Sequence, residues 1–254
     1  EIPTYRVDVS CEADVIEEIL RIYGYNNIEI NEHVNSTLYS PEKPDREKLT
    51  NTISDMLAAN GFFEIMCNSL NPSAFYENGD FDTARLVILA NPLSSDLNTM
   101  RQTLLYGGLS SVAWNINRQN TDLKLYEMGN CYFRINQDKQ FPSADDFSEK
   151  KNLGIFISGN TVPKRWNSKP EPTGFYNIKS TAEMVVARLG IDHERTDKGE
   201  SERKYYAESV TWSLGKKLIA EAGRISKNYL ERFGISQNVY YANIEWDTLL
   251  SAVK

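Results

Sequence analysis

Hydrophobic and polar positions change period several times along the chain, and each change marks an expected element. Residues 5 to 9 (YRVDV) alternate as a strand would. From Glu12 to Tyr23 the apolar residues stand at 15, 16, 19, 20 and 22, the broad stripe of a buried helix face, and Gly24 supplies the stop. Pro41 and Pro44 then punctuate a polar linker. Beyond it Leu49, Ile53, Met56 and Leu57 recur at helical spacing, which predicts a helix over 43–60 closed by Asn60-Gly61, with a strand following in FFEIMCNSL.

A second long helix is expected from about Met100 to Arg118, with Leu104, Leu105, Leu109, Val112 and Ile116 on one face, leading into the strand LKLYEMG. Gln137 to Lys151 is polar and acidic and reads as an exposed loop before the strand LGIFISG; WNSKPEPTG reads as another loop. A helix from Phe175 to Leu189 stops at Gly190. Residues 205 to 246 then hold β-rich stretches (SVTWSL, KLIAEAG, VYYANIEW) without regular helical crossovers. Long helices interleaved with strands in this order predict an α+β fold, an antiparallel sheet flanked by helices rather than a doubly wound parallel one.

Composition narrows the picture further. The 254 residues are 41% hydrophobic and 25% charged, the profile of a globular chain long enough for one large domain or two ordinary ones. The chain opens at Glu1 inside a strand-like alternation, and about forty residues bury too little surface to stand alone. Residues 1–40 are therefore expected to be the end of a preceding domain, and 41–254 a separate module. No run approaches the roughly 20 apolar residues of a membrane helix, and the first residues lack a secretion signal. Cys11, Cys67 and Cys131 stand far apart without a CxxC pair, which fits a reducing cytoplasm. A net charge of -7 argues against a broad surface that grips phosphate backbones by itself.

Most catalytic devices are excluded by inventory. His33 and His193 are the only histidines, so a Ser-His-Asp or Cys-His site would have to centre on one of them, and neither GxxxxGK[ST] nor a strand-coupled GxGxxG occurs. The acidic group Asp8, Asp14, Glu17 and Glu18 is the candidate that remains. On a helix Asp14 shares a surface with Glu17 (i, i+3) and with Glu18 (i, i+4), and Asp8 could close the set. One reading has acidic side chains capping the helix and facing its positive end. The other has them holding Mg²⁺, a hard cation that takes oxygen ligands. Spacing is compatible with both.

The segments RVDVSCEADVIEEILRIYGYNNI, NPLSSDLNTMRQTLLYGGL, LYEMGNCYF and FYNIKSTAEMVVARLG, in that order, resemble the β subunit of bacterial phenylalanyl-tRNA synthetase over nearly the whole chain. The resemblance implies that residues 41–254 form a class II aminoacyl-tRNA synthetase-like module. It also implies that this module is catalytically degenerate, with the working site and its ATP on an α subunit of an α2β2 assembly that charges tRNA(Phe). Active relatives place an arginine after the strand where this chain has Phe133, and Arg134 would point to the other face. Where they carry a glycine-rich turn and a second arginine, this chain reads VYYANIEWDTLLSAV. The helix 43–60 and strand 62–70 resemble a class II segment that builds subunit interfaces.

By the same resemblance Asp8, Asp14, Glu17 and Glu18 match the positions described as sharing Mg²⁺ with the α subunit. No catalytic or cofactor-binding residue is expected in the chain itself, and the cytoplasm is the expected location. Two alternatives stand beside this reading, a stand-alone Mg²⁺-dependent phosphoryl or nucleotidyl hydrolase and a non-enzymatic interaction scaffold.

Overall fold

A computed structural model describes residues 2–29, 45–77, 81–136, 142–163 and 165–253. Internal contacts divide the chain into two units, Glu1–Glu42 and Lys43–Lys254. Pro41, Pro44 and His33 lie outside the described residues.

In the first unit, helix α1 runs from Glu12 to Tyr23. It starts there because Asp14 reaches back: its Oδ2 accepts from the backbone N–H of Ser10 (2.7 Å) and of Cys11 (2.9 Å), satisfying donors that precede the first intrahelical bonds. It stops at Gly24, where φ is 95° and the N–H returns to the Leu20 carbonyl at 2.7 Å. The alternation over 5–9 does not become a strand. Among the described residues of this unit there is no second strand to take its backbone groups. No residue of α1 is buried, so its apolar stripe is not the covered face its spacing predicts.

The second unit is built on a sheet. Its strands are β1 (Phe63–Glu64), β2 (Leu70–Asn71), β3 (Thr99–Met100), β4 (Leu123–Arg134), β5 (Phe147–Ser158) and β6 (Asn160–Val162). They continue with β7 (Glu171–Pro172), β8 (Asp197–Gly199), β9 (Tyr206–Leu214), β10 (Lys217–Ile225) and β11 (Val239–Glu245). The helices are α2 (Arg46–Ala59), α3 (Leu105–Ile116), α4 (Phe175–Arg188), α5 (Lys227–Glu231) and α6 (Trp246–Leu250). Seven strands pair in the order β1-β4-β5-β11-β10-β9-β8. All of these pairs are antiparallel except β1 with β4. The sheet is thus mixed, because the long connection carrying α3 lets β4 return beside β1 in the same direction.

Both sheet faces are covered, which is why the strands read as near-continuous apolar runs. Along β5, Ile155 and Ile157 face one core with Ile53 and Leu57 of α2, Ile178 and Val185 of α4, and Trp246 and Leu249 of α6. Phe156, between them in the pleat, faces the other core with Leu105, Leu109 and Val112 of α3 and a group of tyrosines.

Three expectations shift. The helix expected from Met100 begins only at Leu105, since the Arg101 N–H donates to Ser69 and its carbonyl accepts from Tyr132, leaving neither for a helix. FFEIMCNSL is strand only at its two ends, and the Cys67 N–H between them goes to the Glu127 side chain. Residues 147–151, read as loop, form the outer end of β5, paired from Phe147↔Arg134 to Lys151↔Asn130. Their polar side chains reflect exposure at the sheet rim, not absence of pairing.

Candidate functional site

The acidic group is brought only partly together. Asp8 accepts both Nε (3.1 Å) and Nη2 (3.0 Å) of Arg6, and Glu18 accepts from the same Nη2 at 2.7 Å and from Arg21 at 3.2 Å. Hydrogen bonds from Arg6 hold the Asp8 and Glu18 carboxyls below the usual carboxylate range. The Asp14 carboxyl is lowered chiefly by the backbone N–H groups of Ser10 and Cys11. Asp14 is therefore a helix cap, while Asp8 and Glu18 share a guanidinium, and Glu17 joins neither arrangement. Among the described residues no three His, Cys, Asp or Glu side chains form a group that could hold a metal ion. As arranged, the four do not fit a common Mg²⁺: Asp8 and Glu18 are turned onto Arg6, Asp14 onto the backbone of Ser10 and Cys11, and Glu17 stands apart from both, so they do not converge on one point.

At the far end of β4 stands Phe133, half-buried, with the Arg85 guanidinium 4.9 Å from its ring centroid and the Lys150 ammonium 5.9 Å away. Arg134, next in the pleat, donates Nε to the Asn136 carbonyl. β11 passes directly into α6 at Trp246 with neither glycine nor arginine at the junction. Burial pushes the Cys67 thiol up to about 11 and the Cys131 thiol up to about 12, so neither is a thiolate nucleophile at neutral pH.

The α3 side of the sheet carries a row that sequence reading did not single out. Register aligns Glu127 (β4), Gly154 (β5), Asn243 (β11), Glu221 (β10) and Thr211 (β9) straight across five strands. Glu127 accepts from Arg101 Nη1 at 2.6 Å, Arg101 Nε donates to the Asn130 carbonyl, and both side chains are buried. Glu221 accepts from the Tyr205 hydroxyl and from Ser201 Oγ (2.9 Å), and burial raises its carboxyl. Each of these polar residues sits among apolar neighbours, in LYEMG, LIAEAG and VYYANI, which is a signal the sequence did contain.

Beside the row, the Phe156 and Tyr241 rings pack tilted against each other with centroids 4.7 Å apart, and Tyr205, Tyr206 and Tyr106 extend the aromatic layer. α3 lies directly on it: a Cβ at Gly108 would come within 2.0 Å of the Phe156 ring. On another surface of the module, a groove of about 560 Å³ is lined by Ile65, Cys67, Leu70, Phe75, Leu97 and Trp114, among others. Phe63, Met66 and Trp114 are large apolar side chains left exposed, and Trp114 is one of the groove's lining residues.

The family model described as "Phenylalanyl tRNA synthetase beta chain CLM domain" matches residues 30–246, and the "tRNA synthetase B5 domain" model matches residues 1–25. The chain belongs to the phenylalanyl-tRNA synthetase β-chain family. A Bacteroides thetaiotaomicron protein named phenylalanine–tRNA ligase beta subunit is 41% identical over 258 residues, covering 100% of this chain and 31% of the relative. A Porphyromonas gingivalis protein of the same name is 36% identical over 99% of this chain and 31% of its own length. The family's chain in hand thus spans about a third of these relatives. Among solved structures, pyrrolysyl-tRNA synthetase from Desulfitobacterium hafniense superposes with a TM-score of 0.60 at 15% identity, covering 82% of this chain and 69% of that one. That likeness places this β-chain family member on a synthetase fold.

Proposed function

We infer that the chain is a supporting, non-catalytic part of a phenylalanine–tRNA ligase β subunit, in an α2β2 enzyme that uses ATP to join phenylalanine to tRNA(Phe) on its α subunit. The observation that carries this reading is the fate of Arg101. It is the one buried cation among the described residues, and it is neutralised by Glu127 of its own sheet. Adenylation needs fixed positive charge free to balance a polyphosphate. Phe133 and the arginine-free β11–α6 junction offer no replacement.

The role left to the module is to hold partners. The groove lined by Ile65, Leu70, Phe75, Leu97 and the exposed Trp114 is the surface we assign to an α subunit, since exposed apolar patches mark interaction sites. The stand-alone hydrolase alternative gains no support from the acidic group, in which Asp8 and Glu18 are engaged by Arg6, Asp14 by the backbone, and Glu17 stands apart. Among the described residues no helix is long and apolar enough to cross a membrane.

The test is ATP–pyrophosphate exchange with phenylalanine, run on the chain with and without α subunit. Exchange is expected only when α is present. Robust exchange in a contamination-controlled, α-free sample would overturn the reading.

A further inference from the structure

Glu127 and Asn152 are on the same face of adjacent strands. Register sets Glu127 opposite Gly154 and Asn152 opposite Gly129, two residues along. Side chains of this length reach one another across such a diagonal. Glu127 Oε1 is fully used, accepting from Arg101 Nη1 at 2.6 Å and from the Cys67 N–H at 3.2 Å. Its Oε2 is buried without a protein partner, and so is Asn152 Oδ1. Buried acceptors left unpaired are costly and rare.

The orientation of Asn152 is dictated from the neighbouring strand. Asn243 Nδ2 donates to Glu245 Oε1 at 3.2 Å, so Asn243 must turn its oxygen inward, where it accepts from the Tyr241 hydroxyl (3.3 Å) and from Asn152 Nδ2 (3.4 Å). Flipping Asn152 would set two amide oxygens against each other. With its nitrogen committed towards β11, Asn152 presents Oδ1 to the other side, towards β4, where Gly129 and Glu127 lie. The space over Gly129 is taken by the Arg101 guanidinium, its Nη2 only 2.3 Å from where a Cβ would stand, and by Leu104 Cδ2 at 2.8 Å, which brings Nη2 onto the strand between Glu127 and Asn152.

We propose that the unpaired Glu127 Oε2 and Asn152 Oδ1 share a single structural water with the Arg101 guanidinium. The water donates one hydrogen to Glu127 Oε2 and the other to Asn152 Oδ1, and accepts from Arg101 Nη2. Two buried acceptors call for a species with two donors, and a third contact brings it to the usual coordination of an internal water. A cation is disfavoured by charge: the Arg101–Glu127 pair is already neutral, and a second positive charge would sit against a guanidinium. The site uses residues that the proposed function leaves without a ligand, so it stands whether or not that function does.

A high-resolution crystal structure of the intact chain tests this. A single ordered peak is expected at about 2.8 Å from Glu127 Oε2, Asn152 Oδ1 and Arg101 Nη2, and it is expected to vanish in an Asn152→Leu crystal. A map without that peak, with Glu127 and Asn152 turned onto protein donors, overturns the proposal. So does a peak with oxygen contacts of about 2.0 to 2.6 Å, the signature of a metal cation. If Asn152→Leu does not fold, the wild-type map alone decides between these outcomes.

Discussion

Arg101 Nη1 meets Glu127 Oε1 at 2.6 Å with both side chains buried, so the only buried guanidinium among the described residues serves a carboxylate of its own sheet. Removing one partner leaves the other charged and unpaired out of water. Arg101→Met is therefore expected to destabilise by about 3–5 kcal/mol. The double variant Arg101→Met/Glu127→Leu should lose less than the single one, because no orphan charge remains. Urea melts of both variants check the order, and a double variant worse than Arg101→Met would sink this account.

Gly108 lets α3 lie flat on the aromatic layer. Alanine there would gain about 1 kcal/mol of helix propensity, but its methyl group would meet a ring that is fully buried and cannot swing away. Gly108→Ala is expected to cost about 1–3 kcal/mol net. Phe156→Leu in the same chain should recover part of that loss. Thermal denaturation of the two variants measures it, and equal stabilities for Gly108→Ala and wild type would refute the contact.

Glu221 titrates in the unfavourable direction. Burial raises its folded pKa above the unfolded value, so the folded state prefers the protonated form. Its contribution to stability is full below the unfolded value of about 4.3 and is lost as pH rises through the folded one. Glu221→Gln removes the charge, keeps one acceptor oxygen for the Tyr205 hydroxyl and sets an NH2 donor against Ser201 Oγ, which can accept from it. The variant should match or exceed wild type at neutral pH and lose that advantage towards pH 4, where the wild-type side chain is also neutral. Melting temperatures across that range give the answer.

Asp8, Asp14 and Glu18 titrate the other way. Their folded pKa values are lowered, so their support is present above the ordinary carboxylate value of about 4 and disappears as pH falls through the folded one. For Asp14 this is the loss of a cap, and Asp14→Ala should remove an acid-dependent loss of helical circular dichroism below that pH.

Arg6 holds the Asp8 and Glu18 oxygens that a divalent ion there would have to take. Arg6→Ala is expected to raise Mg²⁺ affinity in calorimetric titration. Unchanged affinity would mean that Arg6 does not compete there.

How far the sequence was legible varied with the reach of the interaction. α1, α2 and α4 were readable because spacing, caps and stop residues are local, and Glu12–Tyr23 matches its expected limits at both ends. The start of α3 was not, because what ends the preceding strand is a pair of backbone bonds from Arg101 to Ser69 and Tyr132, distant in sequence. The acidic group was visible as residues but not as geometry: whether Arg6 or a metal neutralises Asp8 depends on a turn that no periodicity encodes. The Glu127–Asn243–Glu221 row needed strand register, although each member already stood out as a polar residue inside an apolar run.

β1 is paired to β4 on one side only, and it stands at the end of the strand order with Phe63 exposed. The two-residue margin offers few main-chain groups for further pairing, but the exposed Phe63 ring upon it is apolar surface that another chain can cover. Produced without whatever normally shields it, the module should show concentration-dependent self-association and poor solubility, and co-expression with a shielding chain should be the practical route to well-behaved material.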